Sequence, residues 1–101
     1  LLKPAAAVIS ARRAGTTATW DQVNKYFGLM QMPIITSRYW PIVHGACPED
    51  VRKDLEGMQT MRILGANMAF FLQCRELGIK MGIPLPKQEP AVFTNFIRER
   101  E

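Results

Sequence analysis

Short uninterrupted apolar runs and a longer helical stripe follow one another along the amino-terminal part of this chain. Pro4-Ala5-Ala6-Ala7-Val8-Ile9-Ser10 empties into a basic, Gly/Thr-rich turn, Ala11-Arg12-Arg13-Ala14-Gly15-Thr16-Thr17. The run lacks polar alternation, as expected of a strand covered on both faces within a parallel sheet. Alanine is a poor strand former, so context carries that assignment. Trp20, Val23, Phe27 and Met30 then recur at helical spacing and predict a helix with one apolar face to lay on a sheet. Thr16, Thr17 and Thr19 each suit its N-cap, and Thr19 with Gln22 matches a capping box. Gly28 marks where that helix is expected to fray. Met32-Pro33-Ile34-Ile35-Thr36-Ser37 reads as a second strand. Strand, loop, helix and strand make a βαβ unit, with a crossover long enough to join parallel neighbours.

Arg38 to Gly45 reads as a loop of aromatic and polar residues, leaving the same sheet edge as Arg12–Thr17. Pro48, followed by Glu49 and Asp50, signals a new helix running to Leu77 and stopping at Gly78. Gly57 is the expected division between a short turn and a long helix. Leu55, Met58, Met61, Gly65, Met68 and Leu72 trace the expected inward face, with Gly65 permitting close approach to strands. Pro84, Pro86 and Pro90 break regular structure. Val92, Phe93, Phe96 and Ile97 predict a short final helix within Ala91–Arg100, and Arg98 to Glu101 a solvated end. Two strands and these helices leave a free sheet edge and uncovered apolar surface, and sheets this small rarely stand alone. Further strands are expected from more chain or from a partner subunit, and the missing initiator Met points the same way.

Composition narrows the classes. At 101 residues and 48% hydrophobic content, the chain is one domain or part of one, with enough apolar material for a core. Its net charge of +4 is scattered except at Arg12-Arg13 and the C-terminus. A nucleic-acid surface would carry a denser basic stripe, so no nucleic-acid partner is expected and an anionic small molecule fits better. Cys47 and Cys74 are too few for a disulfide framework and lack metal-site spacing, which makes a reduced, cytoplasmic chain the default. No apolar run approaches the roughly 20 residues of a membrane span, and none reads as a signal peptide.

Beyond these patterns, an ordered series of segments carries a resemblance. It comprises Ser10 to Thr17, Asp21-Gln22-Val23-Asn24-Lys25-Tyr26-Phe27, Met32-Pro33, Ser37-Arg38-Tyr39-Trp40 and His44-Gly45. It continues through Glu56-Gly57-Met58-Gln59-Thr60-Met61-Arg62 and Leu64-Gly65-Ala66-Asn67-Met68-Ala69. The series resembles the C-terminal half of a flavodoxin-like, NADPH-dependent FMN reductase over residues 3–86. The resemblance implies an α/β fold with a doubly wound parallel sheet of order 2-1-3-4-5. This chain would supply the fourth and fifth strands, with 1–86 the C-terminal half of the FMN-binding domain and 87–101 a tail. FMN and NADPH are the implied cofactors, a homodimer or homotetramer the implied assembly. The implied reaction is ping-pong hydride transfer to a small-molecule electron acceptor such as a quinone, free flavin or azo compound. The family's FMN-phosphate loop follows the first strand and a second flavin loop follows the third, both outside these residues. Where the family usually shows two glycines, this chain has Ala14-Gly15, and it lacks the four-cysteine cluster of the iron–sulfur members.

The candidate cofactor-binding residues are Ser10, Arg12, Arg13, Gly15, Thr16, Thr17, Tyr39 and Trp40; no catalytic or metal-ligating residue is assigned. Arg12 or Arg13 would stabilise negative charge on a flavin edge or fork onto a phosphate. Gly15, Thr16 and Thr17 would add amides and hydroxyls at a helix N-terminus. The plain alternative is a solvated loop whose threonines merely cap a helix. Tyr39 and Trp40 suit either a flavin or nicotinamide ring or a subunit interface. His44 reads as a structural loop residue, Cys47 as a cap-region thiol, and the methionine series as core. The rival to an enzyme is a non-enzymatic α/β module that completes a partner's sheet; response-regulator and nucleotide-binding domains lack support, having neither an acidic cluster nor a Gly-rich phosphate loop here.

Overall fold

Two parallel strands organise the chain in a computed structural model that describes residues 2–96. The elements are β1 (Ile9–Ala11), α1 (Thr16–Leu29), β2 (Ile42–His44), α2 (Pro48–Lys53) and α3 (Leu55–Lys80). β1 pairs parallel with β2 in the register Ile9↔Ile42, Ser10↔Val43 and Ala11↔His44, and α1 lies in the crossover. The fold is therefore mixed α/β, built on a small parallel sheet. No helix among the described residues is long and apolar enough to cross a membrane.

The second strand is displaced from its expected position. Met32–Ser37 contributes only a single parallel bridge, Ala5↔Ile34, and the ladder resumes at Ile42, inside the stretch expected to be loop. Between these pairings the first strand advances from Ala5 to Ile9, while its neighbour advances from Ile34 to Ile42. The neighbour therefore carries four extra residues, and the segment 36–41 bulges out to hold them. Pro41 supplies its carbonyl to the Ile9 amide (3.0 Å) but has no N–H to return to β1, so the ladder breaks below it. The bulge is tethered to α3, where Ser37 Oγ donates to the Thr60 carbonyl (2.8 Å) and Asn67 Nδ2 to the Thr36 carbonyl (2.8 Å).

The helix boundaries also shift. α1 runs straight through Gly28 and ends where Gln31 turns left-handed (φ 58°), with the Met32 amide reaching back to Phe27 O at 3.0 Å. α3 continues past Gly78 to Lys80. The break between α2 and α3 falls at Asp54, not Gly57. Asp54 Oδ1 accepts from the Gly57 amide (3.0 Å) as the α3 N-cap, and Oδ2 accepts from the His44 amide (2.9 Å).

Gly57 has a different task. A Cβ placed there would lie 2.8 Å from Val43 Cγ1 and 2.5 Å from Asp54 Oδ2, so its absence lets α3 sit directly on β2. That contact sets the rotation of the helix. Gly57, Thr60 and Leu64 face inward and are buried, whereas Leu55, Gly65 and Leu72 of the expected face are exposed. Met58, Met61 and Met68 of the expected face are half-buried. Gly65 has nothing within 4 Å of a built Cβ. Ala91–Phe96 forms no helix, and the rest of the expected final helix and solvated end, from Ile97 on, lies outside the described residues.

Among the described residues the buried apolar side chains are Ala5, Ala7, Ile35, Pro41 and Leu64. Phe70, Phe71, Leu77, Val92, Phe93 and Phe96 remain exposed. The radius of gyration is 18.7 Å, against about 13 Å for a compact chain of this length. The two sheet edges differ in kind. Backbone groups of Ala5, Ile9 and Ala11 turn toward the second strand. Those of Ala6, Val8 and Ser10 turn the other way and have no partner among the described residues. The outer edge of β2 is closed at His44 by Asp54.

Replacing Asp54 by Ala removes the α3 cap and the edge contact together, and should cost about 1–2 kcal/mol, read as a lower urea midpoint of the far-UV helix signal. The Gly57 amide first, then the His44 amide, hold the Asp54 carboxyl below its ordinary value. A depressed folded-state pKa gives stability that is fully present above about pH 4 and declines as pH falls through the folded value. The Asp54→Ala variant should lack this acid-sensitive limb.

Candidate functional site

The carboxyl ends of β1 and β2 define where a site can form, because loops leaving those ends converge in open α/β sheets. β1 ends at Ala11, whose carbonyl accepts from the Gly45 amide at 3.1 Å. This bond holds the Arg12–Gly15 turn beside the Gly45–Cys47 turn.

Gly15 closes the first turn as the N-cap of α1 in a left-handed conformation, φ 91° and ψ 0°. It brings no capping side chain, and the first turn of α1 carries no acidic residue. Thr19 N–H donates to Gly15 O at 3.1 Å, and Thr19 Oγ1 donates to the same carbonyl at 2.8 Å. The expected Thr19/Gln22 capping box therefore does not form. The amides of Thr16, Thr17 and Ala18 are left as free donors at the positive end of the helix. Thr16 is 6% exposed, yet its hydroxyl makes no hydrogen bond among the described residues. Arg12 and Arg13 are exposed in the same turn, and neither forms an ion pair among the described residues. Donors and positive charge thus converge without a counter-charge, which suits an anion or an electron-rich edge.

Ser10 lies on β1 just before this turn, exposed, with its backbone groups on the outer edge. Tyr39 and Trp40 stand elsewhere. They precede β2 in the 36–41 bulge, so of the stretch expected at the carboxyl edge only His44 and Gly45 reach it. The rings of Tyr39 and Trp40 are 5.0 Å apart, tilted by 40°, and about half exposed. They line a hollow of ≈ 390 Å³ with Trp20 from α1, Arg38 and Pro41. Arg38 Nη1 is 3.7 Å from Glu56 Oε2, with both side chains substantially exposed, so the pair leaves most of the guanidinium available.

A second, smaller cleft of ≈ 170 Å³ shares Tyr39 and is lined by His44, Asp54 and Thr60. His44 Nδ1 sits 3.8 Å from Asp54 Oδ2, giving the imidazole a carboxylate neighbour. Sequence spacing offers no companion for His44, and the expected helix break at Gly57 lies three residues past Asp54. The available signal was an Asp directly before an apolar-periodic run, the ordinary N-cap signature. Trp20 was masked by its place in the amphipathic stripe of α1. No group of three or more His, Cys, Asp or Glu among the described residues is arranged to hold a metal ion.

Comparison of the chain with protein-family models, with curated proteins and with solved structures gives no match.

Gly15→Ala should cost about 1–2 kcal/mol from the left-handed backbone alone, because open space surrounds a built Cβ there. Denaturation measures the cost, and the amide shifts of Thr16 and Thr17 should move with it. Ala14→Gly should disturb those shifts less.

Proposed function

We propose that this chain forms part of an FMN-dependent, NAD(P)H-oxidising reductase of flavodoxin-like architecture. The observation that carries the reading is the uncapped, uncompensated N-terminus of α1 beside Arg12 and Arg13. It lies at the carboxyl end of a parallel strand pair, where open α/β sheets bind their ligands. The residue series resembling FMN reductases adds independent support. Under this reading β1 and β2 correspond to the fourth and fifth strands of a 2-1-3-4-5 sheet.

The residues present suit one edge of a flavin rather than the whole cofactor. Bound FMN would supply the hydride chemistry. Thr16, Thr17 and Ala18 amides and the Thr16 hydroxyl would donate to the pyrimidine edge of the ring or to a phosphate. Arg12 and Arg13 would hold the negative charge there, either as a fork on phosphate or as a field on the ring. Tyr39, Trp40 and Trp20 offer aromatic surface for a planar acceptor or nicotinamide, or for a second subunit in a homodimer or homotetramer. A small-molecule electron acceptor would then be reduced in the second half of a ping-pong cycle.

The rival reading is an α/β module without flavin, and the free edge of β1 favours it equally. One preparation separates them. The intact natural polypeptide carrying this sequence should show flavin absorbance, bleached by NADPH. Arg12→Ala with Arg13→Ala should weaken FMN or NADPH affinity roughly 10- to 100-fold, the loss expected for charge-assisted contacts. A colourless protein that acquires no flavin bands on adding FMN would overturn the reductase reading.

A further inference from the structure

The hollow at the start of β2 is walled by aromatic rings and carries one positive charge. Trp20 from α1 and the Tyr39–Trp40 pair line it together with Arg38, Thr36 and the fully buried Pro41. Its ≈ 390 Å³ is of small-molecule size.

The walls are set before any ligand arrives. Ser37 Oγ donates to the Thr60 carbonyl and Asn67 Nδ2 to the Thr36 carbonyl, each at 2.8 Å. The Ile42 amide donates to Trp40 O at 2.7 Å and the Ile9 amide to Pro41 O at 3.0 Å. Trp20 is half-buried on the regular helix α1. A segment pinned at both ends and in the middle leaves little backbone to order on binding.

The lining states the chemistry of the ligand. Two rings 5.0 Å apart and tilted by 40°, with a third from α1, offer π-faces and edges to a planar ring system. Arg38 sets the charge. Its contact with Glu56 is a single nitrogen at 3.7 Å, beyond hydrogen-bond distance, and its guanidinium makes no hydrogen bond among the described residues. The Thr36 hydroxyl is exposed and likewise unbonded among them. A guanidinium fork beside a hydroxyl suits an anion with two or three oxygens. The same guanidinium repels the organic cations that aromatic rings would otherwise attract. Arg38 directly precedes Tyr39 in the chain, so the anion belongs on the ring itself. A mononucleotide, whose sugar separates base from phosphate, matches this less well.

We propose that the hollow of Trp20, Tyr39 and Trp40 binds a planar aromatic acid, with a carboxylate or sulfonate carried directly on the ring and Arg38 as the residue that selects the anion. The role of this ligand as electron acceptor rests on the reductase reading; its binding does not.

The test titrates the intact chain, without flavin or NADPH, with naphthalene-2-sulfonate and with its neutral twin naphthalene-2-sulfonamide, following the indole N–H resonances of Trp20 and Trp40. Both indoles should shift with the sulfonate, and the sulfonamide should bind about tenfold more weakly. Arg38→Gln should weaken the sulfonate about tenfold and leave the sulfonamide unchanged. Glu56→Gln, which releases Arg38, should tighten the sulfonate roughly two- to five-fold, whereas a merely structural pair would give no gain. Trp40→Leu should weaken both probes alike. The proposal is overturned if neither indole shifts, if the two probes bind equally, if Arg38→Gln weakens both to the same extent, or if Glu56→Gln weakens the sulfonate. It is equally overturned if adenosine monophosphate binds the hollow more tightly than the sulfonate. No readout involves flavin, so this failure is distinguishable from failure of the reductase reading.

Discussion

Asp54 accepts hydrogen bonds from the His44 and Gly57 amides at once, and so ties the outer side of β2 to the first turn of α3. Gly57 makes this possible, because any side chain there would collide with Val43 and with the carboxylate itself. The consequence is directional. One edge of the sheet is finished by a charged side chain, and the other presents backbone groups at Ala6, Val8 and Ser10 that have no partner among the described residues. A sheet closed on one side and open on the other grows only from β1. The small core of Ala5, Ala7, Ile35, Pro41 and Leu64 and the exposed aromatic residues of α3 and the C-terminal segment belong to the same unfinished surface.

The α1 end fits this arrangement. A helix whose first turn lacks both a side-chain cap and an acidic residue keeps its positive end for something else, and Arg12 and Arg13 reinforce that field. The Tyr39–Trp40 bulge is held against α3 by Ser37 and Asn67, and it turns its rings toward Trp20. The anion-seeking turn and the aromatic hollow are separate features of the molecule. A ligand using both would need walls that these strands and helices do not contribute.

Much of the βαβ unit was legible because it rests on strong local signals. The apolar run ending at Ser10 pairs parallel with a later segment, and the stripe of Trp20, Val23 and Phe27 forms the crossover helix. The partner strand was misplaced because Ile34-Ile35 carries the stronger apolar signal, while Pro41 and a non-local register select Ile42–His44. The α3 face was misread for a similar reason. Periodicity reports that a helix has an apolar side, but the close contact of Gly57 with Val43 decides which side turns inward. At the candidate site, the basic Gly/Thr turn could be read directly from the residues. The link from Asp54 to His44 could not, since it arises only when strand and cap are brought together.

Backbone hydrogen exchange resolved residue by residue tests most directly the claim that one edge is closed and the other open. Slow exchange is expected at His44, Ile9 and Ala11, with Ala6, Val8 and Ser10 close to the rates of unstructured peptide. Protection of Ala6, Val8 and Ser10 together with rapid exchange at His44 would contradict it.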